Sequence, residues 1–267
     1  MKRLKAFIAA GVLIPSACLF LFCTNTNSML VTSRPAARAL KGGGMACDVT
    51  GGIVAETIQE SVREYQSKIF TDTLSTYTTP VCGTDNCVTN IKLAAEKCDG
   101  IIIPGGSVFS FNDTVGEQTA AAGFKTADAI YNGEIIQAYG GGICQVSSTI
   151  FAAALYTDLD ILEHWNHDYI SSYIDAGMDA AVAWGALDMR IHNTSPYPIR
   201  IDITCTDEYL TAAIIGTKTD DSIIEVETKV LETSTPQTLD IATRRLIYTA
   251  DKSQVFIRQV AISSYVL

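Results

Sequence analysis

The chain has 267 residues, a formal net charge of −10 and 48% hydrophobic residues. That apolar content supports a sizeable core and excludes wholesale disorder. The acidic balance, with no basic stripe, argues against a nucleic-acid partner, whose phosphates it would repel.

Lys2, Arg3 and Lys5 precede the apolar run Ala6–Cys23, which is broken only by Pro15 and Ser16. This pattern predicts a cleavable signal peptide or a single-pass membrane anchor over residues 1–23. Pro15-Ser16-Ala17-Cys18 is a fainter lipoprotein signal. In each case the body is expected outside the cytoplasm, membrane-anchored or secreted. Without those 23 residues, which carry three cations and no acid, the net charge becomes −13. An oxidising exterior also favours disulfides among Cys47, Cys82, Cys87 and Cys98, with Cys82–Cys87 as the expected local bridge and a zinc site as the rival.

Residues 24–54, rich in Asn, Ser, Thr, Gly and Arg, read as a linker. Over residues 55–72, Ile58, Val62, Tyr65 and Ile69 recur at helical spacing and predict an amphipathic helix. Leu74–Thr79 is β-like, and Asn90–Cys98 is a short helix capped by Thr89 or Asn90. Ile101–Ile103 and Val108–Phe111 read as strands around Pro104-Gly105-Gly106, and Thr114–Glu117 as the opening of a helix that Gly123 closes. Ala127–Tyr131 and Glu134–Ala138 flank Asn132-Gly133, a strong hairpin signal.

The hairpin leads into Gly140-Gly141-Gly142-Ile143-Cys144-Gln145-Val146-Ser147-Ser148-Thr149 and an apolar segment of helical period. A cysteine therefore stands where a glycine loop becomes the first turn of a buried helix. Unpaired amides and the positive end of the helix dipole favour a thiolate there. Strands are expected at Ile161–Ile170, Ala180–Trp184, Asp188–His192, Tyr197–Cys205 and Thr211–Gly216, with Cys205 buried on its strand. Residues 218–267 read as a β-rich tail of structural role: Ile223–Val230, Leu239–Thr249 and Gln254–Ser263.

Several blocks together resemble the VanW family, named for an accessory protein of B-type vancomycin-resistance clusters. They are the glycine–cysteine decamer, Asn90–Ala95, Pro104–Asn112, Thr114-Val115-Gly116, and then His167, Tyr173, Gly177, Asp179 and Leu187-Asp188. The resemblance runs from about Thr73 to Gly216, matching a domain at 73–217. Met178 stands where the family has an arginine. The resemblance implies a bacterial envelope protein and leaves the chemistry to the residues.

A cysteine at a helix start, a histidine on the next strand and an acid beyond it follow the chain order of papain-like and transglutaminase-like thiol enzymes. The predicted class is α+β, with short helices on a mostly antiparallel sheet. Cys144 is the candidate nucleophile, His167 its base and acid, and Asp179 or Asp188 the orienting carboxylate. The Cys144 amide and Gln145 are candidate oxyanion donors, while Gly140, Gly141, Gly142, Trp165 and Tyr173 are candidates to line a substrate groove. On a continuous strand His164 and His167 face opposite ways, which disfavours a shared metal and favours His167 as the partner of Cys144. No cofactor is expected. The expected substrate is peptidoglycan or its peptides; the alternative is a non-catalytic wall-binding module whose glycine loop shapes a ligand groove.

Overall fold

The computed structural model describes residues 50–131, 134–231 and 237–267. The N-terminal segment and Cys47 lie outside the described residues, as does the Asn132-Gly133 turn. The order of elements confirms an α+β chain whose sheets are all antiparallel.

Helix α1 (Thr50–Ile69) leads to β1 (Asp72–Pro80) and α2 (Asp85–Cys98). Short elements follow: β2 (Ile101–Ile103), β3 (Val108–Ser110) and α3 (Phe111–Val115). The hairpin strands β4 (Thr126–Tyr131) and β5 (Glu134–Tyr139) precede α4 (Cys144–Leu155). Then come β6 (Asp160–Glu163), β7 (Arg190–His192), β8 (Ile199–Cys205) and β9 (Tyr209–Gly216). A final meander comprises β10 (Ile223–Val230), β11 (Thr238–Tyr248) and β12 (Val255–Val266). Among the described residues no helix is long and apolar enough to cross a membrane.

The central sheet runs β1-β9-β8-β2. Period-two alternation turns Ile199, Ile201 and Ile203 of β8 and Leu210, Ala212 and Ile214 of β9 inward, against α4 and α2. Helix α4 is buried from Gln145 to Leu155 and apolar along its second half, as a helix enclosed on all sides must be. Burying Ile150, Phe151 and Leu155 stabilises the fold by roughly 2–3 kcal/mol each.

Several local expectations need correction. Thr84, not Thr89 or Asn90, caps α2: its hydroxyl accepts from Cys87 N at 3.4 Å. The helix therefore starts two residues before Cys87. Cys82 and Cys87 are both free thiols, as are Cys98, Cys144 and Cys205, so the expected Cys82–Cys87 bridge is absent. Cys205 is half-buried rather than fully enclosed. Strands β2 and β3 do not pair with each other but join different sheets, with β8 and β7. Ser110 and Asp188 cap a short helix that starts at Phe111 and ends at Val115, upstream of the predicted one. Strand β6 ends at Glu163, and residues 164–170 follow an irregular path.

Candidate active site

Loop 140–143 is closed from three sides. Gly142 has φ +103°, and a Cβ there would overlap Cys87 Sγ; a Cβ on Gly141 would lie 2.5 Å from Asp128 O. The side chain of Asn90, in the middle of α2, ties the loop to the hairpin. Its Nδ2 donates to Gly141 O at 3.0 Å and to Lys125 O at 2.9 Å, while its Oδ1 accepts from Lys125 N at 2.8 Å. Gly140 and Gly141 are buried and allow close packing of hairpin and helix, while Gly142, the third glycine expected to line a groove, is partly exposed.

Cys144 is the first residue of α4 and is partly exposed. No side chain caps this helix start, and among the described residues the Cys144 amide has no hydrogen-bond acceptor. Its sulfur lies 3.5 Å from both Val182 N and Val182 O. The thiol can donate to the carbonyl, and the thiolate can accept from the amide. The hydroxyls of the next turn secure the facing segment: Ser147 Oγ donates to Ala180 O at 2.6 Å, and Ala180 N donates to Ser148 Oγ at 2.9 Å. Both serines are fully buried, which their hydrogen bonds make tolerable.

That segment brings Asp179 to His167. The Asp179 carboxylate is 1% exposed, and its Oδ2 accepts from His167 Nδ1 at 2.6 Å and from His167 N at 2.8 Å. With Nδ1 holding the proton toward Asp179, Nε2 is left for the thiol, and His167 and Cys144 each shift the other's titration. Burial pushes the Cys144 thiol up, but the neighbouring His167 and the Val182 amide outweigh it and hold the thiol below its ordinary value. Burial likewise opposes the imidazolium, yet Asp179 and Cys144 raise His167 to about 10. Asp179 is held low against burial by His167 and by Tyr265. The arrangement favours a thiolate–imidazolium pair backed by a carboxylate.

His164 has a different job. Stacked on Phe151 at 4.3 Å, it donates from Nε2 to Asp179 O at 2.7 Å. Because the chain bends after Glu163, both histidines reach Asp179, one at its backbone and one at its carboxylate, instead of facing opposite sides of a strand. Among the described residues no group of three or more His, Cys, Asp or Glu is arranged to hold a metal ion.

Two other candidates lie elsewhere. Asp188 accepts from Ser110 Oγ at 2.6 Å, Asn112 N at 2.9 Å and Met189 N at 2.8 Å, which makes it the anchor of α3 and not the partner of His167. Gln145 is buried, and its Nε2 donates to Thr79 Oγ1 at 2.9 Å and Pro80 O at 2.6 Å. Both amide protons are thus committed to the end of β1, leaving none for an oxyanion. Trp165 is 48% exposed, its indole N–H on Glu163 at 3.0 Å. Tyr173 does line a cavity of about 360 Å³, with Tyr77, Ile170, Ser171 and Asp175. The cavity adjoins the site, since Ser171 Oγ lies 3.4 Å from His167 Nδ1 and Tyr173 Oη lies 3.3 Å from Ser148 Oγ.

The β-rich tail, read from sequence as devoid of chemistry, supplies residues at both ends of α4. Arg245 of β11 is 1% exposed and donates to Ala154 O (2.9 Å), Leu155 O (2.8 Å) and Leu159 O (2.7 Å), covering the carbonyl end of the helix. Burial lowers its guanidinium to about 10, still charged at neutral pH. Tyr265 of β12 donates its O–H to Asp179 Oδ1. A tyrosine in an alternating strand carries no sequence signal for this role.

A family model described as VanW like protein matches residues 86–215. The chain is 41% identical over 112 residues to the uncharacterized protein YoaR of Bacillus subtilis (strain 168), covering 42% of this chain and 37% of YoaR. It is 28% identical over 147 residues to the vancomycin B-type resistance protein VanW of Enterococcus faecalis (strain ATCC 700802 / V583), covering 53% of this chain and 54% of that protein. It thus spans between a third and about half of the length of these relatives. No solved structure matches the chain. Cys144, His167 and Asp179 all fall inside the matched region, so the candidate site lies within a VanW-like domain at residues 86–215, just under half of the chain.

Proposed function

We propose that this chain is a cell-envelope protein whose Cys144 carries out thiol-dependent acyl transfer or amide hydrolysis on peptidoglycan peptides. The observation that carries the reading is the line Cys144–His167–Asp179, with Cys144 a partly exposed residue at a helix start and a cavity lined by Tyr173 and Ser171 adjoining His167. The name of the enterococcal relative ties that protein to vancomycin resistance, a cell-envelope trait, which favours the wall as the place of action. The predicted N-terminal signal or anchor would deliver the body to that side of the membrane. The order helix-borne cysteine, histidine, carboxylate is also the papain-like and transglutaminase-like layout, here with Asp179 as the acid.

In this reading the Cys144 thiolate attacks the carbonyl carbon of a peptide amide, forming a C–S bond. The tetrahedral oxyanion takes its hydrogen bond from the Cys144 amide, which is otherwise without an acceptor among the described residues. As the C–N bond breaks, His167 gives its Nε2 proton to the leaving amine, and a thioester remains on Cys144. A second nucleophile, an amine or water, passes its proton to His167 and attacks the thioester, releasing the thiolate. Asp179 keeps Nδ1 occupied and so presents Nε2 to the sulfur throughout.

The test is to incubate wild-type protein and Cys144→Ala with purified muropeptides and to follow masses. Amide hydrolysis adds the mass of one water across the products, and transfer joins two peptides with loss of the leaving group; either change should vanish in Cys144→Ala. Unchanged masses with both proteins, together with retained sedimentation on cell walls, would replace this reading with a non-catalytic wall-binding module.

A further inference from the structure

We propose that Tyr265, on the last strand of the β-rich tail, is a positioning residue for the Cys144–His167–Asp179 line, so that the tail forms part of the site. This rests on the thiol reading above and extends it beyond the matched region, which stops at residue 215.

Tyr265 is 1% exposed, and its hydroxyl joins two groups. It donates to Asp179 Oδ1 and accepts from Gly177 N at 2.6 Å. Asp179 Oδ2 is already occupied by the backbone and ring of His167. The tyrosine thus gives the second carboxylate oxygen its partner and fixes the rotation of the carboxylate about its own bond. The tail grips the same loop a second time, where Thr243 Oγ1 donates to Gly177 O at 2.7 Å. Gly177 has φ +89°, and a Cβ there would lie 2.7 Å from Thr243 Oγ1 and 2.8 Å from Ile241 Cγ2, so only glycine allows the tail this close. The other titratable groups facing Asp179 are His167, with Cys144 beyond it, His164 at its carbonyl, and Tyr173 across the site.

Without the hydroxyl, Asp179 Oδ1 and the Gly177 N–H are both left unpaired a short distance apart. The carboxylate then turns toward that amide and away from His167, and the imidazole loses its alignment on the sulfur. Filling the space with phenylalanine does not restore it.

The experiment measures the rate of Cys144 alkylation by iodoacetamide against pH in the full chain, read by peptide mass spectrometry, for wild type, Tyr265→Phe and Thr243→Val. Wild type should react with an apparent pKa below that of an ordinary thiol. Tyr265→Phe should move the profile to higher pH and make alkylation at pH 7 about tenfold slower. Thr243→Val removes the second grip without touching Asp179 and should lower the melting temperature while leaving the profile in place. A wild-type profile at the ordinary thiol value would overturn the thiol reading itself. A low wild-type value with an unmoved or lower profile in Tyr265→Phe would overturn only the role of Tyr265. Should Tyr265→Phe fail to fold, site-specific Tyr265→3-fluorotyrosine keeps the ring shape and alters the acidity of the hydroxyl. It moves the profile if the O–H sets Asp179, and leaves it unmoved if the ring only fills space, which would overturn the proposal.

Discussion

The Asp179 carboxylate takes two hydrogen bonds from one residue, the ring Nδ1 of His167 at 2.6 Å and the backbone N–H of His167 at 2.8 Å. The backbone bond holds the loop at a set distance, and the ring bond then has one orientation to adopt. Turning the imidazole away from Cys144 requires breaking a buried, charge-assisted contact.

Selective thiol chemistry follows. Burial pushes Cys82, Cys87 and Cys205 above the ordinary thiol value and Cys98 to about 12, whereas His167 brings Cys144 below it. At pH 7, iodoacetamide should modify Cys144 at least about tenfold faster than Cys82, although Cys82 is the more exposed. Peptide mapping of a time course checks this; fastest labelling at Cys82 contradicts it.

The two aspartates should separate by function. Asp179→Asn removes the charge that supports the imidazolium, and alkylation of Cys144 at pH 7 should slow about tenfold or more. Asp188→Asn disturbs the anchor of α3 and should cost about 1–2 kcal/mol in urea unfolding, with the alkylation rate unchanged.

Arg245→Met should lower stability by on the order of 3–5 kcal/mol, since the carbonyls of Leu155 and Leu159 lose their donor in a dry environment and that of Ala154 keeps only Thr157. Chemical denaturation of the two proteins gives the difference directly. A change under about 1 kcal/mol would mean that water replaces the guanidinium without penalty.

Gly142→Ala combines two costs. Backbone strain at φ +103° contributes about 1–2 kcal/mol, and the contact with Cys87 Sγ adds to it. In the Cys87→Ala background the contact is gone and the strain remains, so Gly142→Ala should be less damaging there. Equal losses in both backgrounds would show that the sulfur yields freely.

The His167–Asp179 pair should appear in stability against pH once the opposing titration of the thiol is removed by Cys144→Ser. The folded value of His167 lies above the unfolded 6.5, so its contribution is complete below pH 6.5 and fades as pH rises through the folded value, about 10 when Cys144 is present. Asp179 acts at the other end: its depressed carboxyl contributes above 3.8 and loses that contribution as pH falls through its folded value. The stability gap between Cys144→Ser and the same protein with His167→Ala should therefore narrow from pH 6.5 upward. A constant gap would remove the ion pair from the account.

Periodicity located most elements, because α4 and strands β8 to β12 carry a regular alternation or helical spacing that burial enforces. It misjudged the stretch from His164 to Trp184, whose course is set by hydrogen bonds from Ser147, Ser148 and His164 across the fold, contacts with no local pattern. Cys144 and His167 were legible from residue type and position. The choice of Asp179 over Asp188 was not, since both precede apolar segments, and only the separate claim of Ser110 and Asn112 on Asp188 decides it. Gln145 misled because an amide beside a cysteine invites a catalytic role until its two protons are traced to β1. Tyr265 and Arg245 were invisible, being distant in sequence from everything they touch.

Strand β12 is the last described element to leave the ribosome, long after Cys144 has emerged. Until it is seated, the carboxylate behind His167 lacks one of its hydrogen-bond donors and the loop at Gly177 lacks its clasp. On the role proposed for Tyr265, a polypeptide cut short before β12 should therefore hold its Cys144 thiol closer to the ordinary value than the whole domain does.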